Sequence, residues 1–402
     1  MTRPDSASDR AGAAESMLSM LFPPPLRVQS GKTDPSEGYA SFVCLPHAAA
    51  PRLLVQVGRR SSSAAVSVRR QMVGRRWRTR VSREGSSALV RTGLATRLGS
   101  LRLDVVGPPV AASVREPLRH LLDRDDFTLT IPVGPARSNR KPVLQVVAPD
   151  GAPLAFVKVG HSDLTRRLVA SEHAALSRLA HRPADGITAP AVLGLCEWRG
   201  LVLLAMTALE IPTRRMSGPA AREQLLSTVR EIAACEGLDD VVWAAHPLRA
   251  ELLDCWPAGH ALRAAVERLD SDVVVRTGTW HGDLNPGNVA VAGGRALVWD
   301  WERFSTGVPV GFDLLHHDFH EAVTVRGRPA YDATVQLMSD AGPRLEPVGV
   351  SAATAALVAR AYFLTIGARY FVDGQRETGS ALGNLDDWLV PALTDTYQRT
   401  GS

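Results

Sequence analysis

A chain of 402 residues, 45% of them apolar, is too long for one simple core and sets an expectation of two or three domains in a soluble globular protein. No apolar run in the sequence reaches the ~20 residues a membrane span needs, and MLSMLF (Met17 to Phe22) is too short for a signal h-region, so a cytoplasmic protein without a membrane partner is expected. The formal net charge of +5 hides an asymmetry: residues 1–125 hold 20 basic and 10 acidic side chains, residues 126–402 hold 26 and 31.

Residues 1–35 are rich in Ser, Ala, Pro and Gly without sustained periodicity, which predicts a largely disordered or irregular N-terminus, with order beginning near FVCL (Phe42 to Leu45). Residues 36–125 form a basic extension expected to be a small α+β segment, with strands at 39–45, 52–57 and 101–106 and a helix at 114–122. Its densest stretch, RRQMVGRRWRTRVSR (69–83), carries seven arginines around one tryptophan and could attract a polyanion. In a chain that uses arginine throughout, a solvated face is the simpler reading, and nucleic acid is not an expected partner. Residues 126–210 read as a β-rich lobe: three antiparallel strands within 127–160, a helix from Ser162 to about Arg182, then strands at 191–198 and 201–207. Residues 211–402 turn mostly helical, with helices expected at 219–235, 258–269, 313–325, 330–339, 351–372 and 384–400. Cys44, Cys196, Cys235 and Cys255 are far apart and form no CxxC, which fits buried thiols in a reducing compartment better than a disulfide framework or a zinc site.

Within the helical region, WHGDLNPGNVAV (280–291) packs polar groups between apolar flanks. Asp283 and Asn288 are five positions apart, in a loop bent by Pro286-Gly287 that can aim both at one point. Twelve residues beyond Asn288, an apolar strand ends in a second carboxylate, Asp300. A carboxylate to take a hydroxyl proton, with a carboxylate and an amide oxygen for Mg²⁺, is what phosphoryl transfer from ATP requires. Upstream, only three lysines stand against 43 arginines, so Lys158, inside the apolar strand LAFVKVG, is conspicuous. A buried ammonium needs a partner. Glu172 falls on the helical stripe Leu164, Leu168, Leu176 and Leu179, and the two charges explain each other most simply.

HGD with Asn at plus five, followed by DWE after a short hairpin and by WDWERFSTGVPVGFDLLHH, is similar to the aminoglycoside phosphotransferase and choline kinase families and looks like uncharacterised phosphotransferases of high-GC bacteria. The resemblance implies an α+β, protein-kinase-like two-lobed fold, with a β-rich N-lobe and a mainly helical C-lobe, here carrying an extra N-terminal α+β segment. It implies ATP and Mg²⁺ as cofactors, Asp283 as base, Asn288 and Asp300 as metal ligands, and His281 and Asp313 as groups bracing the loop. It places Lys158 and Glu172 at the nucleotide phosphates and the adenine near Met206 and Ala208. The phosphate loop would be GPARSNRKP (134–142), offering Gly134, Ser138 and Asn139 but only one glycine, a departure from the families' glycine-rich pattern. HHDFHE suggests His316, Asp318 and Glu321 as contacts to a small-molecule hydroxyl acceptor, although the same histidines are compatible with plain surface or core positions or with a zinc pair. The function expected is transfer of the γ-phosphoryl group of ATP to a small-molecule hydroxyl. The alternative is a pseudokinase or nucleotide-binding interaction module with a polyanion- or protein-binding basic segment. A protein kinase is disfavoured because HGD and DWE stand where HRD and DFG would, and no APE-like segment follows.

Overall fold

A computed structural model describes residues 7–30, 39–47, 50–57, 102–108, 111–134, 141–181, 185–212, 218–377 and 380–400. The arginine-rich stretch 69–83 and the expected phosphate-loop residues Ser138 and Asn139 lie outside them. In chain order the elements are α1 (Ala7–Leu21), β1 (Arg27–Ser30), β2 (Ala40–Leu45), β3 (Leu53–Val57), β4 (Arg102–Val106), α2 (Arg115–Leu122), β5 (Thr128–Pro132), β6 (Val143–Val147), β7 (Pro153–Gly160), α3 (Asp163–His181), β8 (Ile187–Thr188), β9 (Val192–Trp198) and β10 (Leu201–Thr207). There follow α4 (Pro219–Ala234), β11 (Asp239–Val242), α5 (Pro247–Cys255), α6 (Ala261–Glu267), β12 (Val274–Trp280), β13 (Val289–Ala292), β14 (Arg295–Val298), β15 (Ser305–Pro309), α7 (Phe312–His320), α8 (Ala330–Ser339), α9 (Ala341–Leu345), α10 (Ala352–Val372) and α11 (Leu389–Thr400). The chain is thus mixed α+β, and it divides into two compact units.

The first unit comprises Arg3–Val169 and Ala191–Ala208 and is built on one nine-stranded sheet of order β1-β4-β2-β3-β5-β6-β7-β10-β9, antiparallel throughout. Alternate residues of its strands form a continuous apolar face, among them Phe42, Cys44, Leu54, Leu103, Leu129, Ile131, Leu144, Val157 and Leu203. Ala14, Met17, Leu18 and Leu21 of α1 and Leu118 of α2 pack on that face. This corrects the expectation of an irregular N-terminus. The apolar residues at 14, 17, 18 and 21 have helical spacing, but Ala, Ser and Gly around them dilute the signal.

A second difference concerns the basic extension. No structural boundary falls at residues 125–126, because β3 pairs with β5 (Leu53 opposite Pro132, Leu54 opposite Ile131, Val55 opposite Thr130) and the extension continues the same sheet. A strand with an open row of N–H and C=O groups recruits a partner wherever one is near, and here the partner precedes it by more than seventy residues. Three strands do follow one another at β5, β6 and β7, as the turn at Pro149-Asp150-Gly151 requires.

The second unit comprises Ala170–Pro190 and Leu209–Ser402. It holds two small sheets, β11-β12-β15 and β13-β14-β8, and helices α4 to α11. Its core is aromatic: Phe319 stacks on Trp388 with ring centres 5.4 Å apart, Phe312 meets Tyr362 edge-on at 5.7 Å, and Trp243, Trp256 and Trp301 are fully buried. The helix expected at 313–325 ends at His320 and continues as one π-helical turn, Glu321–Val325. Helix α10 is long and apolar enough to cross a membrane by length and composition, yet eleven of its 21 residues are buried in this core, including Leu357, Tyr362, Phe363 and Ile366. It is the unit's central packing element. All four cysteines are free thiols, and burial pushes the Cys44 thiol up to about 12.

Candidate active site

The loop 281–288 leaves β12 through a tight turn in which glycine is required. Gly282 has φ +83°, and a Cβ placed on it would sit 2.2 Å from the Arg303 carbonyl oxygen. Beyond it the chain closes on itself: Asn285 N–H donates to the Asp283 carbonyl at 2.7 Å, Asn288 N–H to the Asn285 carbonyl at 3.0 Å, and Gly287 N–H to Asn285 Oδ1 at 2.7 Å.

The two residues expected to brace this loop, Asp313 and His281, both hydrogen-bond to it. Asp313, in the first turn of α7, accepts the His281 N–H on Oδ2 (2.7 Å) and the Gly282 N–H on Oδ1 (3.2 Å), gripping the loop entry from below. Burial pushes its carboxyl up to about 7, against the lowering effect of those two N–H donors and of Arg369. His281 is fully buried, which lowers its pKa to about 4 and keeps it neutral. Its Nδ1 accepts the Asp283 N–H at 3.1 Å, so the proton resides on Nε2, which donates to the Trp299 carbonyl at 3.0 Å. Through that one ring the Asp283 loop is tied to the strand end that carries Asp300.

Asp283 itself is half-buried, with its side chain 32% exposed, and collects N–H donors. Oδ1 accepts from Asn285 Nδ2 (3.0 Å) and from His316 Nε2 (2.9 Å), and Oδ2 accepts from Asn288 Nδ2 (3.0 Å). Burial alone would raise its pKa, but the hydrogen bonds from His316 and Asn285 outweigh it and hold the carboxyl well below the usual range. Asn288 also donates to the Asp283 carbonyl at 2.9 Å, so its amide nitrogen faces the loop and its Oδ1 is the atom left for a ligand role.

The second carboxylate, Asp300, follows β14 at φ +73°, a left-handed conformation rare outside glycine. Its carboxylate oxygens and those of Glu172 and Glu302 lie within 4.8 Å of one another, and Glu172 and Glu302 are buried. Glu172 Oε1 also accepts the Trp301 N–H at 3.2 Å. The stripe argument that turned Glu172 inward is therefore matched by its complete burial, and Lys158 is likewise buried at the middle of β7, between Val143 of β6 and Leu204 of β10. Met206 is buried at a register shift of β10, Ala208 follows that strand, and Gly134 is exposed.

The residues expected at the acceptor are engaged by side chains of the protein itself. His316 is 2% exposed and has both ring nitrogens engaged, Nε2 with Asp283 and Nδ1 with the Tyr362 hydroxyl at 3.1 Å, which leaves it neither an acceptor contact nor half of a zinc pair with His320. Asp318 takes Arg222 on both oxygens (2.6 and 3.1 Å) and Arg344 on one (2.6 Å), an ion-pair knot joining α7, α4 and α9. Burial raises its pKa, but His317 and the two arginines prevail and hold it well below the ordinary range. Glu321 pairs with Arg326 at the surface. The His317, Asp318 and Glu321 side chains converge within 4.8 Å, yet with two guanidiniums on Asp318 that group is already neutralised.

Several members of the site carried no usable signal in the sequence. Tyr362 and Arg369 come from α10, about eighty residues downstream, seven positions apart and so on one helix face. Arg369 donates to the Gly282 carbonyl and lies 4.8 Å over the Trp280 ring. Glu302 was visible in DWE, but nothing there distinguished it from a solvated glutamate. Asn285 could have been found from its Asx-turn position before Pro286-Gly287.

No protein-family model matches the chain, and no curated protein matches it. Among solved structures it is similar to a thermostable mutant of the aminoglycoside phosphotransferase APH(4)-Ia in a ternary complex with ADP and hygromycin B, at 15% identity and TM-score 0.39 over 72% of this chain and 99% of that one. It is also similar to macrolide 2′-phosphotransferase MphH from Brachybacterium faecium (19%, TM-score 0.38, 69% and 96%) and to a glucosamine kinase (17%, TM-score 0.31, 99% of both chains). With these TM-scores below 0.5, the likeness by itself assigns neither family nor activity to this chain.

Proposed function

We propose that the chain is an ATP-dependent phosphotransferase that moves the γ-phosphoryl group to a hydroxyl of a small molecule of aminoglycoside, amino-alcohol or sugar type. The observation that carries this reading is Asp283: a carboxylate kept ionised by three side-chain N–H donors, yet half-exposed at the tip of a braced loop. An ionised, oriented carboxylate suits the task of orienting an attacking hydroxyl and accepting its proton. His281, Asp313 and Arg369 hold the loop from three sides, so the carboxylate need not reorganise when substrate arrives.

The donor set beside it fits a divalent cation. Asp300, Glu172 and Glu302 each offer a carboxylate oxygen within 4.8 Å of the others, two of the residues are buried, and all-oxygen donors suit Mg²⁺. Asn288 Oδ1 and Asp300 are the assigned ligands, with Glu302 and Glu172 adjoining Asp300. When bound, Mg²⁺ would neutralise charge on the nucleotide phosphates. The same reading assigns Lys158, Gly134, Ser138 and Asn139 to the phosphates and the backbone near Met206 and Ala208 to the adenine.

Two measurements test it. ADP release should be detected with at least one member of a panel of hydroxylated antibiotics, amino alcohols and sugars, and Asp283→Ala should lower it by roughly 10²-fold or more. Full turnover in that variant would remove Asp283 from the mechanism. Thermal melting with saturating Mg²⁺·ATP should move upward, and an unmoved melt together with an inactive panel would favour the non-catalytic alternative, an interaction module using its basic segment.

A further inference from the structure

Behind the Asp283 carboxylate, away from its exposed side, runs a line of polar groups buried in the aromatic core. Tyr362 of α10 is 0% exposed, its hydroxyl lies 3.1 Å from His316 Nδ1, and His316 Nε2 lies 2.9 Å from Asp283 Oδ1. We propose that Tyr362 and His316 act as a positioning relay for the catalytic carboxylate: the tyrosine fixes the tautomer of His316, and His316 fills Oδ1 so that Asp283 offers Oδ2 to the acceptor hydroxyl. The proposal rests on the phosphotransferase reading above and adds residues to it.

The direction of the relay follows from donor counting. An ionised carboxylate has about four lone-pair sites. Asn285 and His316 occupy those of Oδ1, and Asn288 occupies one on Oδ2. The remaining site, on Oδ2, is where a hydroxyl can donate. His316 donates to Oδ1 only if its Nε2 carries the proton, so its Nδ1 must accept, and the neighbour there is a phenol. Burial raises the Tyr362 pKa well above its ordinary value, so the phenol keeps its proton and is a donor. Burial likewise lowers the His316 pKa, favouring the neutral ring that this arrangement needs, in a setting that includes His281, His317, His320, Asp313, Arg369 and Tyr370.

Packing alone does not account for these residues. Phe312 and Phe363 pack against Tyr362, and an imidazole and a phenol buried in such a core lose their hydration, which only complete hydrogen bonding offsets. An apolar pair of similar volume would fill the space without that penalty. The polar line is instead complete at each nitrogen and ends on the carboxylate that the reaction uses.

Three variants and one spectroscopic measurement test the relay. His316→Leu should lower kcat by roughly 10–100-fold, with the KM for ATP unchanged and the fold intact by melting. Tyr362→Phe should lower kcat by about 5–10-fold, the loss of a single hydrogen bond. His316→Gln, whose amide can donate to Oδ1 and accept from Tyr362, should recover activity to within a few-fold of the parent, about 5-fold or better. In protein labelled with ¹⁵N-histidine, His316 should show a protonated Nε2 and an unprotonated Nδ1, and Tyr362→Phe should mix the tautomers. Parental kcat in folded His316→Leu and Tyr362→Phe, equal losses in His316→Leu and His316→Gln, or a proton on Nδ1 of the parent would overturn the proposal. Should the parent release no ADP with any acceptor, the phosphotransferase reading falls on that result, while the tautomer measurement still decides whether the relay exists. Should His316→Leu fail to fold, Tyr362→Phe and the tautomer decide it.

Discussion

At Gly282 and Asp313 the loop's geometry rests on two side-chain choices, one of them the absence of a side chain. Gly282→Ala forces a Cβ against the Arg303 carbonyl at a positive φ, with backbone rather than a flexible side chain in the way. The expected cost is about 1–3 kcal/mol in urea denaturation, accompanied by loss of turnover because the loop must shift to relieve the clash. A variant of parental stability would mean that the loop relaxes freely. Asp313 makes a prediction in pH. Its carboxyl is pushed up to about 7 in the folded chain and titrates near 4 when unfolded, so between those values the folded state binds a proton that the unfolded state does not. Stability from this group is therefore full below about pH 4 and is lost as pH rises through about 7. Relative to Asp313→Asn, which lacks the titration, the parent should lose on the order of a few kcal/mol between pH 5 and pH 8, and parallel urea midpoints across that range would refute the assignment.

Strand pairing decides what can be removed from the first unit. Because β3 pairs with β5, and α1 covers the face that carries Leu129, Ile131 and Val157, the basic extension is a structural part of the sheet. A chain beginning at residue 126 should be insoluble or lack a cooperative melt, since it exposes the β5 edge and uncovers apolar positions each worth roughly 2 kcal/mol of burial. A soluble, cooperatively melting fragment would show the extension to be dispensable. The same pairing explains why the extension read as a separate segment in the sequence. The strands expected at 39–45, 52–57 and 101–106 fall within a residue of β2, β3 and β4, and the three expected within 127–160 are β5, β6 and β7, but register between strands separated by more than seventy residues leaves no local trace. Helix α1 was missed for a different reason, a stripe of four apolar positions diluted by Ala, Ser and Gly. In the candidate site, the convergence of Asp283 and Asn288 was legible because one turn joins them, whereas Asp313, thirty residues on, came only from the family resemblance. Tyr362 and Arg369 were not, since only the packing of α10 beside α7 brings them to the loop. For His316 the sequence left surface, core, acceptor and zinc positions open, because it shows the helix but not that this residue faces inward.

For the molecule as a whole, stability and chemistry meet at Asp300. Its backbone is left-handed, and its carboxylate crowds those of Glu172 and Glu302. Asparagine tolerates that backbone as well as aspartate does and keeps the side chain's size while removing its charge. On the phosphotransferase reading, Asp300→Asn should lower ADP release sharply while the melting temperature stays close to that of the parent. A lower melting temperature would show that the carboxylate stabilises the fold by itself. The consequence reaches beyond one variant. A selection for heat resistance alone would place no demand on this carboxylate, whereas a selection for turnover would have to retain it together with its left-handed backbone.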